Sequence, residues 1–363
     1  MISSQRMQVL MRLPETVNYP EANPEICHMT VATAEDRPDM RHPSAAALPW
    51  PEGTLPLMLA PMQGLTNPAL RGHFIQRVRP DVVFTEFMRV NPAAAVKRLA
   101  AGDMLQMAAA EEGVPLVVQL VGHGRESLVS AARAAQAAGA VHLNLNMGCP
   151  YGRMTSGLTG GGMLRSPDDL AEVIPALREA VRGTFSVKLR AGYDDPEQIF
   201  SLLPLFAAVG VDFIVLHPRT VVQKYGGVAD HDITARVVRA SRLSVIANGD
   251  IRSAADGERV LRQTSAAGLM LGRGAIADPL LFLRLRGEAD PFPVRAERTA
   301  ALGSYLRDML ERYSTLFCGE AQVLGKLKEI LVQMDDPELA KTLKGLRRAG
   351  NLRNFAALLQ ELG

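Results

Sequence analysis

The strongest constraint on the fold of this chain is a regular alternation of short apolar runs with helix-forming segments. Eight apolar runs of strand length begin at Leu57, Val82, Pro115, Val141, Phe185, Asp212, Leu243 and Gly268. Between the third and fourth runs, residues 126–138 are rich in Ala, Arg and Gln, which favour helix, and Gly139 is a helix stop. A strand, a helix and a second strand make a βαβ unit, in which the two strands pair in parallel.

Eight such units over about 215 residues match the usual size of a (β/α)8 barrel. The sequence therefore predicts an α/β fold in which a (β/α)8 TIM barrel over residues 55–292 is followed by a small C-terminal helical domain. A doubly wound sheet is the structural alternative, although such a sheet rarely has eight evenly spaced strands.

The segments on either side of the barrel differ from it in composition. Residues 1–54 contain 7 of the 23 prolines and show little periodicity, so we predict an irregular N-terminal extension that the chemistry does not need. Residues 293–363 are predicted to form three or four helices. Between Lys341 and Arg353 they carry five basic residues and no acidic one. Such a stretch is ordinarily a solvated helix face, and binding of an RNA backbone is the functional alternative.

Composition excludes several classes of protein. Basic residues number 40 and acidic residues 38, and the net charge of +2 does not by itself indicate nucleic-acid binding. The cysteines Cys27, Cys149 and Cys318 form no CxxC pair, which argues against a disulfide scaffold or a thiolate zinc site and suits a reducing cytoplasm. No run approaches the roughly 18 apolar residues of a membrane span, and no secretory signal is recognisable. We therefore expect a cytoplasmic protein with no membrane partner and no metal.

Polar residues end or follow seven of the eight predicted strands, at the barrel face where TIM-barrel active sites lie. They are Gln63, Glu86, Gln119, Lys188, Arg190, His217, Asn248, Asp250 and Arg273. One polar residue on a strand is consistent with a satisfied core group, but a repeat at seven strand ends predicts an active site.

The loops after the seventh and eighth predicted strands have the composition of a phosphate site. Asn248-Gly-Asp and Gly272-Arg-Gly occur where barrels commonly bind phosphate. Glycines allow backbone N–H groups to approach the phosphate, and Arg273 adds a charge-assisted donor. Each loop alone is also consistent with an ordinary turn, whereas the pair favours a phosphate-bearing cofactor.

Two further residues have chemical and structural alternatives. Lys188, within an apolar strand, is a candidate Schiff-base nucleophile, a cation beside a cofactor that becomes negative, or an outward lysine between helices. Cys149 follows the fourth predicted strand in Asn144-Leu-Asn-Met-Gly-Cys-Pro. It is either an inert small hydrophobic residue or a general acid, since an ordinary thiol is mostly protonated at neutral pH.

Eight motifs in the barrel carry a resemblance to one family. They are Ala60-Pro-Met-Gln-Gly, Thr85-Glu-Phe, Asn146-Met-Gly-Cys-Pro, Gly160-Gly-Gly-Met-Leu, Val187-Lys-Leu-Arg, His217-Pro-Arg-Thr, Asn248-Gly-Asp-Ile and Gly272-Arg-Gly. Over residues 55–290, and more loosely over the helical tail, the chain resembles the tRNA-dihydrouridine synthase family of flavin enzymes. Residues 85–90 and the triple glycine are most similar to the bacterial subfamily C.

This resemblance implies an FMN enzyme that uses NADPH, or NADH, and acts on tRNA as a monomer. Reduced flavin delivers hydride to C6 of a D-loop uracil and Cys149 protonates C5, which saturates the 5,6 double bond. The residues implied to bind FMN are Pro61, Met62, Gln63, Gln119, Lys188, His217, Asn248, Gly249, Asp250, Gly272 and Arg273. Asn146 and Tyr225 match positions near the target base, and the basic tail supplies Lys344 and Arg347 as candidate tRNA contacts.

Two alternative functions are consistent with parts of this pattern. An FMN-dependent TIM-barrel oxidoreductase acting on a small molecule would have the phosphate loops but no need of a basic tail. A non-catalytic RNA-binding relative would be expected to have lost Cys149 or Lys188, and both are present.

Overall fold

The computed structural model of the protein describes residues 47–93, 99–151 and 157–362. Residues 1–46, which make up most of the predicted N-terminal extension, lie outside the described residues.

Eight parallel strands close into a barrel, which confirms the predicted TIM-barrel fold. The strands are β1 (Leu57–Leu59), β2 (Val82–Phe84), β3 (Met88–Arg89), β4 (Ala110–Glu111), β5 (Val114–Val121), β6 (His142–Met147), β7 (Thr184–Arg190), β8 (Phe213–His217), β9 (Ser244–Asn248) and β10 (Gly268–Leu271). The ring runs β1, β2, β5 to β10 and back to β1, where Leu57 lies opposite Leu269. The short strands β3 and β4 pair with the two ends of β5, outside this ring.

Helices connect the barrel strands and continue beyond the last one. They are α1 (Pro68–Val78), α2 (Ala101–Met104), α3 (Arg125–Ala137), α4 (Pro167–Ala180), α5 (Gln198–Val209), α6 (His231–Ala240), α7 (Ala254–Thr264), α8 (Arg273–Ala277), α9 (Leu281–Arg286), α10 (Arg295–Leu316), α11 (Glu320–Val332), α12 (Ala340–Arg348) and α13 (Leu352–Gln360). Capping residues near in sequence define where several of these helices begin. For example, Ser253 and Asp256 form a capping box at the start of α7, each accepting a hydrogen bond from the other's backbone N–H.

Of the four tail helices α10 to α13, α10 packs directly on the barrel helix α1. Tyr305 and Met309 of α10 belong to the same buried apolar cluster as Leu70 and Phe74 of α1. The tail and the barrel therefore form one compact unit, and the predicted division near residue 293 is a change of architecture within a continuous core. Among the described residues, no helix is both long and apolar enough to cross a membrane.

Trp50 covers the N-terminal end of the barrel. Its ring lies edge-on to Phe213, the first residue of β8, with 4.9 Å between the ring centroids. Trp50 is 8% exposed and belongs to the apolar cluster inside the barrel, together with Met58 and Met270. This differs from the expectation that residues 1–54 contribute little to the core. The reason is that Trp50 packs against Phe213 in the barrel interior, a tertiary contact that proline content and periodicity do not reveal.

Replacement of Trp50 tests its contribution to the barrel core. Trp50→Ala should lower the free energy of unfolding by about 3 kcal/mol, because a large buried ring is replaced by a cavity. Guanidinium unfolding followed by circular dichroism measures the loss. Phe292→Ala is the matched control, since that ring is 77% exposed and should contribute little. Equal effects of the two substitutions would contradict a core role for Trp50.

Candidate active site

A cavity of about 450 Å³ opens at the C-terminal ends of the barrel strands. All the predicted site residues line it except Gln119, Lys344 and Arg347. The convergence follows from the closed parallel barrel, which brings the loop after every strand to the same end.

Side-chain amides form a hydrogen-bonded row beneath the cavity. Gln119 of β5 donates from Nε2 to Asn144 Oδ1 at 2.8 Å, and its Oε1 accepts from Asn146 Nδ2 at 2.8 Å. Asn144 Nδ2 in turn donates to Ser186 Oγ of β7 at 2.8 Å. Gln119 is fully buried and supports the cavity floor through Asn146, and its contact with FMN stays a prediction.

The loop that carries Cys149 is fixed on both sides. Asn146 Oδ1 accepts from the backbone N–H groups of Gly148 and Cys149, both at 3.0 Å. On the other side, the Gly161 N–H donates to the Cys149 carbonyl at 3.0 Å, and a Cβ on Gly161 would lie only 2.9 Å from that oxygen. The half-buried free thiol of Cys149 is therefore held at the cavity wall by its neighbours.

Lys188 faces a neutral partner. Its Nζ donates to Asn248 Oδ1 at 2.9 Å, and Asn248 Nδ2 donates to the Met270 carbonyl at 2.9 Å, which fixes the amide orientation. Burial, together with the nearby charge of Arg190, lowers the pKa of Lys188 to about 7. A buried ammonium next to a neutral amide favours an anionic group in the cavity, because that group would stabilise the charged form.

His217 is neutral in this arrangement. Burial, reinforced by the charges of Lys188 and Arg190, holds its pKa well below the usual value. Arg219 Nη1 lies 3.1 Å from His217 Nε2, and a guanidinium can only donate. Nε2 is therefore the acceptor, and the ring carries its proton on Nδ1.

The loops after β8, β9 and β10 meet at an ion cluster. Asp250 accepts from Arg219 Nη2 at 2.6 Å and lies 3.4 Å from Arg273 Nη2. Burial would raise the pKa of Asp250, but these partners and the Ala229 N–H lower it below its usual value. Two guanidinium groups and one carboxylate leave one net positive charge, which suits a phosphate. Sequence reasoning missed Arg219 as a site residue, although its motif was recognised.

Arg190, one of the polar residues predicted at the strand ends, connects two loops of the cavity wall. Its Nε donates to the Gly148 carbonyl at 2.9 Å, and its Nη1 donates to the Thr220 carbonyl at 2.8 Å. It thereby links the loop that carries Cys149 to the loop after β8.

Two exposed tyrosines stand at the cavity rim. Tyr225 lies under the guanidinium of Arg273, with 4.5 Å from Cζ to the ring centroid, and also contacts Arg190. Tyr151 lies 5.9 Å from Tyr225 between centroids, and it was not predicted. Its position directly after Cys149-Pro150 was the available signal. Exposed aromatic rings next to cations are suited to stacking on a nucleobase.

The tail reaches the cavity at one edge. Gln333, just after α11, lines the cavity, and Lys326 of α11 donates to the Gly64 carbonyl at 2.9 Å. Glu86 accepts from the Gly64 N–H, so the loop after β1 is held by both barrel and tail.

The two predicted tail contacts differ from each other. Lys344 is exposed on α12, away from the cavity lining. Arg347 instead donates to backbone carbonyls at the end of α11, to Leu331 at 2.8 Å and to Met334 at 2.5 Å. Arg347 therefore satisfies carbonyls at a helix C-terminus, and its contact with tRNA stays a prediction.

The family model described as "Dihydrouridine synthase (Dus)" matches residues 58–344. A probable tRNA-dihydrouridine synthase of Rhodobacter capsulatus is 33% identical, over 83% of this chain and 96% of that protein. The tRNA-dihydrouridine(16) synthases of Pseudomonas putida and Cupriavidus necator are each 33% identical, over 84% and 71% of this chain and 96% and 83% of their own lengths.

Among solved structures, morphinone reductase aligns with a TM-score of 0.48 and 16% identity, over 67% of this chain and 88% of that chain. The likeness to subfamily C stays a prediction. The family prediction itself is confirmed by a match that spans most of the barrel and tail: this chain belongs to the dihydrouridine synthase family.

Proposed function

We propose that this protein is an FMN-dependent tRNA-dihydrouridine synthase that uses NADPH or NADH to reduce the 5,6 double bond of a D-loop uridine. The observation that carries the proposal is that the Cys149 thiol and the Lys188 ammonium line one cavity, and that Arg273 lines the same cavity beside its partner Asp250. The family match and the names of the relatives support the substrate class.

The residues of the cavity fit FMN. Arg273, with the backbone of Gly249 and Gly272, would hold the phosphate, since this corner carries net positive charge. Lys188 would stand beside the flavin ring as the counter-charge that its neutral Asn248 partner does not supply. Bound FMN supplies hydride transfer from the nicotinamide cofactor to the base.

Cys149 supplies the proton that the reaction needs. Its Sγ–H bond breaks as a C–H bond forms at C5 of the uracil, and the resulting thiolate regains a proton from solvent. Asn146 holds the Cys149 backbone in place, so the thiol meets the base in one geometry. The target base must leave the tRNA stack to enter the cavity, and the exposed rings of Tyr151 and Tyr225 are suited to stack on it or on a neighbouring base.

The basic stretch is proposed to hold the tRNA backbone. Lys341, Lys344, Arg347 and Arg348 are all exposed on α12, and Arg347 also donates to a carbonyl of α11. We also propose a cytoplasmic monomer. Cys149 and Cys318 are free thiols, which is consistent with a reducing compartment.

Substitution of Cys149 tests the proton donor. Cys149→Ala should bind FMN and be reduced by NADPH at the normal rate, because flavin reduction involves no uracil. Reoxidation of its flavin by unmodified tRNA should fall by about 100-fold or more. The measurement is anaerobic stopped-flow absorbance of the flavin, and Cys149→Ser should be nearly as slow.

Cys318→Ala is the matched control, because that free cysteine is exposed and does not line the cavity. It should behave as the unmodified protein in both half-reactions. Normal reoxidation in Cys149→Ala would remove Cys149 from the chemistry.

Substitution of Arg273 tests the phosphate site. Arg273→Ala should weaken FMN binding by about tenfold, since one charge-assisted donor is lost. Flavin content after extensive dialysis, followed by titration, measures the effect. Arg259→Ala is the control, because Arg259 is an exposed partner of Asp256 on α7. A full flavin complement in Arg273→Ala would contradict the assignment.

Charge reversal on α12 tests tRNA binding. The double substitution Lys341→Glu and Lys344→Glu should weaken tRNA binding at low salt and reduce the salt slope by about one per lost phosphate contact. Arg182→Glu with Arg242→Glu changes the charge equally at the opposite barrel end, where exposed arginines precede β7 and β9. Equal loss of affinity in the two pairs would mean that only net charge matters.

A further inference from the structure

His231 lies behind the Asn248-Gly-Asp turn and does not line the cavity. It is the first residue of α6, and its side chain is buried. His231 Nε2 is 3.0 Å from the carbonyl oxygen of Gly249. A carbonyl oxygen can only accept, so Nε2 carries the proton and donates.

The other ring nitrogen of His231 is also satisfied. Burial lowers the pKa of His231 below its usual value, so the ring is neutral. Thr234 Oγ1 lies 3.4 Å from Nδ1 and can donate to it. The imidazole therefore supplies one fixed hydrogen bond to the turn and no charge.

The turn that His231 supports has an unusual backbone. Gly249 and Asp250 follow each other at φ values of +122° and +50°, both in the left-handed region. Glycine adopts such angles freely, but a residue with a side chain does so only when its surroundings hold it. The carboxylate of Asp250 is held by Arg219, and the preceding peptide is held by His231.

The hydrogen bond to His231 determines which way this peptide faces. A trans peptide points its C=O and N–H groups in opposite directions. Since the Gly249 carbonyl points to the buried His231, the Asp250 N–H points to the opposite side, where both residues line the cavity. We propose that His231 is a positioning residue that holds the Asp250 N–H as a donor to the phosphate of bound FMN.

This inference rests on the proposed function, because it requires a phosphate-bearing flavin in the cavity. The proposed role predicts different effects on FMN binding and on riboflavin binding, whereas a purely structural role predicts the same effect on both. A neutral residue behind the turn affects the phosphate only, so its loss should alter FMN binding and leave the binding of riboflavin, which has the same ring and no phosphate, unchanged.

The test is titration of the flavin-free protein with FMN and with riboflavin, followed by flavin fluorescence. The unmodified protein should prefer FMN. His231→Leu should weaken FMN binding by about tenfold, as expected for one hydrogen bond to a charged group, and change riboflavin binding by less than about twofold. His231→Gln keeps an amide donor and should retain most of the preference. His231→Met makes the same removal with a more adaptable side chain if His231→Leu does not fold.

His142→Leu is the matched control. His142 is a half-buried histidine of β6 whose Nδ1 lies 2.7 Å from Thr184 Oγ1, outside the cavity lining. It should leave the ratio of FMN to riboflavin affinity unchanged. If His231→Leu weakens the binding of both flavins equally, or leaves FMN binding unchanged, the proposed role of His231 is wrong, while the proposed function is unaffected. No preference for FMN in the unmodified protein would overturn the phosphate site of the proposed function, and this inference with it.

Discussion

The pairing of β1 with β10 is the interaction on which the candidate site depends. It closes the ring of parallel strands, so loops from opposite ends of the barrel sequence become neighbours. Met62, after β1, lies so near Gly272, after β10, that a Cβ on the glycine would be 3.5 Å from the methionine sulfur. An open sheet with the same strands would leave these two loops at opposite edges, and the cavity would have no wall between them.

Closure also concentrates positive charge. Lys188, Arg190 and Arg273 line the cavity, and Asp250 pairs both with Arg273 and with the buried Arg219 behind it. Burial and mutual repulsion lower the pKa of Lys188 to about 7 and hold His217 neutral. Such a concentration of cations is unfavourable by itself, and a bound anion would relieve it. In the proposed function, the same groups favour a phosphate-bearing cofactor whose ring becomes negative on reduction.

Local pattern was sufficient for the barrel and for most cavity residues, because buried parallel strands are continuous apolar runs and their ends converge. It was not sufficient where a side chain acts through a distant partner. Trp50 follows a proline-rich segment, yet it fills the barrel end against Phe213. Arg347 looks like any basic residue of α12, but its guanidinium is engaged by carbonyls of α11. The roles of these two side chains depend on tertiary contacts, which the spacing of residues along the sequence does not predict.

Arg347 nevertheless connects the basic helix to the chemistry. Its two carbonyl acceptors, Leu331 and Met334, flank Gln333, which lines the cavity. On the same helix α11, Lys326 holds the loop after β1 through Gly64. The helix that presents the exposed lysines is thus anchored to the segment that forms one edge of the cavity. In the proposed complex, α12 contacts the tRNA backbone and the target base enters the cavity beside Cys149. Because α12 is anchored to the cavity edge, the distance between these two contacts is fixed. Backbone contacts that are weak and independent of sequence are then sufficient to choose which base enters.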